Sequence, residues 1–351
     1  MSKVARFHIG VDLHKTVIQV CVRNDLGEIV EERRHLARDL AAGRAVIDDL
    51  KRYRASGRFA VEAIGVNRWF VNRMLSEGFD IVVCDPAKLN LRMLGRKTDR
   101  RDAQEIARRL QLGDIDRCAV TYYPSDEQYG RRKVLRVRHK LIEGRQQVVN
   151  QLRSLLNAYK VTGIGDSLLS QRAQRDLRRV AWPTEEMGAV VETLLASLAG
   201  LSESIRQLDR QIRESARHTS IPELVDQLPW AGPLTVSTLS YELGDVSRFR
   251  HTRAVAAYAG LVPRVSQSGD TAHHGRLTKR GNRELRHVLG EWAVRLLGHD
   301  RLVQRWAEPR LARMHKNKVR MALSRRLLIG VYKMLRTGEP FSLERCLGLQ
   351  S

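Results

Sequence analysis

Short apolar runs fill the first 85 residues, and their order limits the folds that the chain can adopt. Three strand-like runs follow one another closely, which is typical of an antiparallel meander. Two further runs alternate with helical patterns, and such alternation places helices on the faces of a sheet. The predicted strands are Phe7–Asp12, Thr16–Val22, Glu28–Arg33, Arg58–Glu62 and Asp80–Cys84, with helices over Arg38–Lys51 and Asn67–Ser76. The sequence therefore predicts an α/β domain built on a mixed sheet.

Four acids stand where such a sheet would bring them together. Asp12 and Glu62 each end an apolar strand, and strand ends of an α/β sheet meet in one crevice. Asp99 and Asp102 begin a helical pattern three residues apart, so they share one helix face. Taken singly, Asp12 fits a surface strand end and Glu62 fits a helix cap. The pair Asp99 and Asp102 alone fits a solvated, salt-bridged helix start. As a group they would repel one another without cations, so we expect one or two Mg²⁺ ions among them.

The charge of the chain indicates a polyanionic partner. Lysine and arginine number 62 against 39 acids, which gives a net charge of +23. A field of this size attracts nucleic acid first and an anionic membrane surface second. Aromatic residues make up only 5% of the chain, so base stacking is not the expected main binding mode. Lys97, Arg100 and Arg101 flank the acid pair and could hold a phosphate backbone there.

The middle of the chain predicts two long helices. A linker is expected from Leu112 to Ser125, followed by a basic helix over Asp126–Tyr159 and a looser stretch over Lys160–Trp182. From Pro183 onward apolar residues alternate spacings of four and three, which is a heptad seam. That seam fits a helical hairpin within one chain or a coiled coil between protomers, and both can hold. Its members are Met187, Val191, Leu194, Leu198, Leu201, Ile205, Leu208 and Ile212.

The last third combines helices with one polar loop. Leu224–Thr235 resembles a helix-hairpin-helix, although Trp230 and Ala231 at its turn make phosphate binding there doubtful. After a helix over Phe249–Tyr258, we expect a polar loop over Val265–Gly275, because it has no apolar stripe. The basic run Arg276–Asn282 follows, and amphipathic basic helices complete the chain. Ser268 in that loop is by itself an ordinary loop serine.

The motifs resemble those of a known family. The order Asp12, Glu62, Asp99, Asp102 resembles the DEDD pattern of ribonuclease H-like nuclease domains of the RuvC type. Gly10–Lys15 and Lys97–Ala103 resemble more closely the DEDD transposases of bacterial insertion sequences, the insertion-sequence-110 family related to the Piv invertase. Three later motifs resemble the C-terminal transposase domain of the same family: Gly260–Arg264, Ser268–Gly269 and Thr278–Asn282.

This resemblance implies a DNA transposase with a composite active site. The four acids would hold Mg²⁺, and Ser268 would attack the DNA phosphodiester to form a covalent phosphoserine, with Ser266 as the nearby alternative. His273 and His274 are weak candidates for the base. A bridge RNA would pair with donor and target DNA, and a homodimer would assemble into a tetramer. The expected nucleic-acid contacts are Lys97, Arg100, Arg101, Arg264, Lys279, Arg280, Asn282, Arg283 and Arg286.

The expected divisions are a RuvC-like catalytic domain over 1–118, a linker with coiled-coil helices over 119–217, and a helical transposase domain over 218–351. We see no signal peptide and no apolar run of membrane-spanning length, so we expect a cytoplasmic protein that joins the nucleoid when on DNA. Cys21 and Cys84 lie in apolar strands and are expected to be buried free thiols.

Two other functions remain open from the residues alone. A hydrolytic Mg²⁺-dependent nuclease, such as a junction resolvase, would need the four acids without Ser268. A non-catalytic architectural nucleic-acid protein would need neither.

Overall fold

The computed structural model describes residues 6–65, 67–89, 98–165, 167–217, 219, 221–268, 271–277 and 281–349. Within these ranges, the side chains of 221, 222, 225 and 264–277 lie outside the description. The chain divides into two compact units, Met1–Tyr123 and Pro124–Ser351. The finer division predicted at residues 118 and 217 stays a prediction.

The first unit contains the predicted mixed sheet. Its strands lie in the order β3-β2-β1-β4-β5. The first three form the predicted antiparallel meander, while β1, β4 and β5 run parallel. The elements are β1 Phe7–Leu13, β2 Val17–Asn24, β3 Ile29–Leu36, α1 Leu40–Leu50, β4 Gly57–Glu62, α2 Arg68–Ser76, β5 Asp80–Cys84, α3 Pro86–Leu89 and α4 Asp99–Gln111.

Helices cover both faces of this sheet. Alternate residues of a strand point to opposite faces, so each central strand supplies two cores. Ile9, Val11 and Leu13 of β1 pack with the apolar residues of α1 and α2. On the opposite face, α4 packs on the small residues of β1, β2 and β4. The central strands β1 and β4 are therefore mostly buried, in line with the helices predicted on the faces of the sheet.

The contact between α4 and β1 depends on Gly10. A Cβ at Gly10 would overlap the backbone of Ala103 and would lie 2.5 Å from the backbone nitrogen of Ala107. The residues paired with Gly10 on either side are Cys21 of β2 and Ala60 of β4. This row of small residues lets the backbone of α4 lie directly on the sheet. The face that continues from Gly10 to Asp12 is therefore the face that α4 covers.

The expected linker after α4 is partly packed. Ile115 and Ala119 are buried beneath β5, and the Thr121 amide donates to the Val83 carbonyl at 2.8 Å. These residues of the expected linker are therefore part of the packed first unit. Cys21 and Cys84 are buried free thiols, as predicted, and burial raises the pKa of each to about 12.

The second unit begins with two antiparallel helices. Val149 of α5 packs near Leu195 of α7, and Leu135 of α5 shares a core with Ile212 of α7. Each helix has 33 residues, about 50 Å by the α-helical rise. The elements of this unit are α5 Asp126–Ala158, α6 Gln171–Arg178, α7 Glu185–Arg217, α8 Ile221–Gln227, α9 Pro233–Leu243, α10 Thr252–Tyr258, β6 Pro263–Ser268, β7 Thr271–Leu277, α11 Arg283–His299, α12 Arg301–Leu311, α13 Lys316–Thr337 and α14 Leu343–Leu347.

The heptad seam of α7 divides into two stripes. Its members at every seventh residue, Val191, Leu198, Ile205 and Ile212, are buried in the described unit. The alternate members, Met187, Leu194, Leu201 and Leu208, are only half-buried. The helical hairpin within one chain is therefore present, while a coiled coil between protomers stays a prediction.

By length and composition α7 could also cross a membrane, contrary to the expectation that no such run exists. Length and composition are weak support for a membrane span, because core helices of soluble proteins have the same length and composition. Packing of the Val191 stripe against α5 gives this apolar composition a structural role.

The predicted polar loop is a β-hairpin. β6 and β7 pair in antiparallel register, with Ser266 opposite His273 and Ser268 opposite Thr271. The loop prediction was wrong because it required an apolar stripe, whereas two strands can pair through backbone hydrogen bonds alone. Ser268 is the last residue of β6.

Replacing Gly10 with alanine should destabilise the first unit by about 1–3 kcal/mol or more, because the added methyl meets helix backbone that cannot rotate away. Hydrogen exchange of peptides from α4 reports on this unit alone. Gly65→Ala is the matched control, since a Cβ there meets nothing within 4 Å. Equal exchange protection of α4 in both variants would contradict the proposed packing.

Candidate metal centre

The start of α4 presents two acids on one turn. The Thr98 side chain caps the helix by accepting from the Arg101 amide at 3.3 Å, which fixes Asp99 and Asp102 in the first turn. The positive end of the helix dipole favours carboxylates at this position. Asp102 is 6% exposed, whereas the Asp99 side chain is 43% exposed. One acid therefore faces inward and the other borders solvent.

The end of β1 supplies the third acid and a histidine. Asp12 is buried on the face covered by α4. The Nε2 atom of His14 lies 3.0 Å from Oδ2 of Asp12 and 3.2 Å from Oδ1 of Asp99. This imidazole therefore joins the strand acid to the helix acid. The cluster brings together two elements whose motifs are about ninety residues apart in sequence.

The electrostatics of the cluster favour a bound cation. Burial raises the pKa of the Asp12 carboxyl, and the Asp102 and Asp99 carboxylates raise it further. His14 acts in the opposite direction, through its charge and its hydrogen bond. Carboxylates that are desolvated and placed close together are stabilised by a positive charge between them.

Glu62 ends the strand next to β1. Val11 pairs with Val61, so Asp12 and Glu62 follow the last paired positions of two adjacent parallel strands. Neighbouring strands lie about 4.8 Å apart. Glu62 also follows Ala60 on the face that α4 covers. The sheet thus brings Glu62 to the same edge as Asp12, as the strand-end pattern predicted.

Three groups are close enough to share one ion in the described part of the chain. One ligand atom from each of Asp12, His14 and Asp99 lies within 4.8 Å of the other two. Glu62 and Asp102 are not in this triplet, although Asp102 is near enough to Asp12 to act on its charge. The carboxylate oxygens suit Mg²⁺ or Mn²⁺, and the imidazole is a ligand more typical of transition metals. The residues present fit a divalent cation.

The sequence prediction missed His14 as part of the site. His14 follows the end of β1, two residues after Asp12, and its imidazole contacts both Asp12 and Asp99. The motif Gly10–Lys15 contained the histidine, but only its acid was assigned a role. Its closeness to Asp12 in the sequence was the signal that could have identified it.

One of the cations predicted beside the acids, Arg100, has a partner within the protein. Arg100 forms an ion pair with Glu32 of β3, and the hydrogen bond from Arg100 is the main reason that the pKa of Glu32 is lowered. Gln104 also donates to Glu32, so two α4 side chains bind this glutamate. Arg101 is exposed at the first turn of the helix. Lys97 lies outside the described residues.

Three of the residues predicted to bind nucleic acid in the second unit, Asn282, Arg283 and Arg286, lie at the start of α11. Asn282 caps this helix through its side chain, and Arg283 pairs with Glu143 of α5. Arg286 donates to the Ala259 carbonyl at 2.9 Å, and burial lowers its pKa. These contacts show structural roles, and nucleic-acid binding by the three residues stays a prediction. The side chains of Arg264, Ser266 and Ser268 lie outside the description, as do Lys279 and Arg280.

Two family models match the chain. The DEDD transposase model of the IS110 family covers residues 9–161, which include all four predicted acids. The model described as the transposase IS116/IS110/IS902 family covers residues 223–308, which include the β6–β7 hairpin. The chain belongs to the DEDD transposases of the IS110 family. The resemblance stated from the motifs is confirmed.

The relatives of this IS110-family transposase include proteins from several bacteria. The transposase for insertion sequence element IS1111A of Coxiella burnetii is 26% identical, over 83% of this chain and 78% of its own. A probable family 20 transposase of Pseudomonas aeruginosa is 28% identical, over 90% of this chain and 93% of its own. The pilin gene-inverting protein of Moraxella bovis is 34% identical over 40% of this chain and 46% of its own. Membership of this family of transposases and recombinases favours strand transfer on DNA over the architectural hypothesis.

A divalent cation should stabilise the first unit through the acid cluster. At a concentration one hundred times its dissociation constant, Mg²⁺ or Mn²⁺ should raise the free energy of unfolding of this unit by about 2.7 kcal/mol. Hydrogen exchange of peptides from β1 and α4 measures this change. Asp102→Asn should remove most of this gain. Asp80→Asn is the control, because this exposed acid begins β5, at the end of the strand away from Glu62. An equal gain in both variants would place the cation elsewhere.

Replacing His14 with alanine should weaken Mn²⁺ binding about 10-fold to 100-fold, because the imidazole holds Asp12 and Asp99 together. Calorimetric titration measures the dissociation constant. His8→Ala is the matched control, since His8 lies within β1 and contacts Asp25 instead. Tighter binding by His14→Ala would show that the imidazole competes with the cation.

Proposed function

We propose that this protein is an insertion-sequence recombinase that cuts and rejoins DNA with its acid cluster and a nucleophilic serine, guided by a bridge RNA. The observation that carries the proposal is the convergence of Asp12, Asp99 and His14 between β1 and α4, with Asp102 beside them. This cluster lies in a strongly basic chain of the IS110 family.

The acids provide a place for the reacting phosphate. Asp12, Glu62, Asp99 and Asp102 would hold Mg²⁺, which would offset the charge that develops on the phosphate. The half-exposed Asp99 leaves this cluster open to solvent on one side, where a DNA backbone can approach. His14 keeps the strand acid and the helix acid in a fixed arrangement before DNA binds.

The serine step conserves the energy of the phosphodiester. The Ser268 oxygen forms a bond to phosphorus while the bond from phosphorus to one deoxyribose oxygen breaks. The serine proton leaves to a base or water, and the departing deoxyribose oxygen takes up a proton. The reverse step with a hydroxyl from another strand rejoins the DNA and frees the serine. Such a covalent intermediate permits exchange without net hydrolysis.

Position supports Ser268 as the nucleophile. It is the last residue of β6, so it lies at the turn end of the hairpin rather than at the base. The turn end of a hairpin is the part that can reach a bound substrate. Ser266, two residues closer to the base, is the alternative.

Charge and helix packing support the proposed partners. A net charge of +23 allows binding of an RNA guide and of donor and target DNA, because each presents the same phosphate backbone. The half-buried stripe of α7 offers an apolar surface through which two protomers can associate before forming a tetramer. We further propose that the protein acts in the prokaryotic cytoplasm, with the nucleoid.

Ser268→Ala should reduce the covalent protein–DNA product by at least about a thousandfold, because alanine has no side-chain oxygen that can bond to phosphorus. The product is measured by denaturing gel with labelled donor and target DNA and copurified RNA. Ser266→Ala is the matched control and should keep the product. A reversed pattern would make Ser266 the nucleophile.

The acids are tested in the same assay. Asp102→Asn should abolish cleavage in either a serine-dependent or a hydrolytic reaction. Cleavage by the wild type without any covalent product, unchanged in Ser268→Ala, would instead indicate a metal-dependent nuclease.

A further inference from the structure

A buried carboxylate stands at the centre of the second unit. Glu242, near the end of α9, is fully buried. Arg136 of α5 donates to both of its oxygens, at 3.0 and 2.9 Å, and Arg132 lies 3.6 Å away. Burial of an ion pair is costly, and an apolar replacement often packs as well or better. A role in stability alone therefore gives a weak account of this glutamate.

Glu242 also reaches the start of α11. The side-chain amide of Asn282 donates to Oε2 of Glu242 at 2.7 Å, while its carbonyl oxygen accepts from the Leu285 amide at 3.0 Å. Asn282 is therefore fixed by both ends of its side chain. The Tyr258 hydroxyl donates to the Glu242 backbone carbonyl at 3.2 Å, which adds the end of α10 to the same network.

The segment that carries the β6–β7 hairpin begins and ends at this network. The backbone amide of Asn282 donates to the backbone carbonyl of Tyr258 at 2.7 Å, which joins the residues before and after the hairpin. Gly281 has a φ of +133°, and a Cβ there would lie 2.5 Å from the Tyr258 oxygen and 2.8 Å from the Gly260 nitrogen. The two ends of the hairpin segment therefore meet in close backbone contact, one residue from the side chain that Glu242 holds.

We propose that Glu242 is a positioning residue for the serine hairpin, acting through Asn282 on the base from which β6 and β7 extend. This inference rests on the proposed function, since it assigns the purpose of the contact to the placement of Ser268. Two paired strands transmit the orientation of their base to their tip. An error of about 1 Å at a reacting atom can reduce a rate about a hundredfold.

Exchange of the amide and the carboxylate between Asn282 and Glu242 tests the hydrogen bond that joins them. Asn282→Asp keeps the helix cap but replaces the amide donor with a second carboxylate facing Glu242. It should reduce the rate of covalent product formation about a hundredfold at saturating DNA. Adding Glu242→Gln removes one of the two facing carboxylates and offers an amide donor to the other, while Arg136 keeps one of its two acceptors. The double variant should therefore recover at least a tenth of the wild-type rate.

Affinity and stability measurements separate positioning from other roles. Both ends of the Asn282 side chain are bound within the protein, by Glu242 and by the Leu285 amide. The positioning role therefore predicts, against the nucleic-acid contact expected of Asn282 from the sequence, that the DNA dissociation constant of Asn282→Asp stays within about threefold of the wild type. Asp300→Ala is the matched control for stability, since it removes the cap of α12 and leaves the Glu242 network untouched. It should keep the wild-type covalent rate despite a lower melting temperature.

Three outcomes would overturn the positioning role. They are a wild-type covalent rate in Asn282→Asp, a loss of DNA affinity that equals the loss of rate, and a double variant as slow as the single one. Failure of the proposed function is distinguishable, because the wild type would then form no serine-linked product at all.

Discussion

Contact between the backbone of α4 and Gly10 of β1 determines where the acids meet. A helix normally stands away from a sheet by the length of its side chains and those beneath it. Here the row Cys21, Gly10 and Ala60 removes that spacing, so α4 lies close to the strands. Asp12 follows Gly10 on the same face, and the first turn of α4 carries Asp99 and Asp102. The acid cluster is thus a consequence of close packing, and its acids need no long side chains to reach one another.

Strands and acids were predictable from the sequence because both depend on local patterns. Apolar runs bounded by turns located the five strands of the sheet, and strand ends located Asp12 and Glu62. The β6–β7 hairpin was not predicted, because polar strands that pair mainly with each other leave no apolar alternation. His14 was missed for a different reason: its role depends on Asp99, which reaches it only through the packing of α4.

Charged residues were harder to interpret than apolar ones. A cluster of cations predicts a nucleic-acid surface, but the sequence does not reveal which cations have partners within the protein. Arg100 pairs with Glu32, and Arg283 pairs with Glu143 of a helix far earlier in the chain. Glu242 shows the same limit, since nothing local marked it as the centre of a buried network. Long-range ion pairs depend on tertiary structure, so sequence spacing alone cannot assign them.

The closed segment that carries the β6–β7 hairpin has a consequence for its tolerance of length changes. Tyr258 and Asn282 are joined by a backbone hydrogen bond, and the entropy cost of closing the segment between them grows slowly, by about 0.6 kcal/mol for each doubling of its length. A change in the length of the two strands therefore adds little to the cost of closure. It would alter the reach of the hairpin while α10 and α11 stay in place.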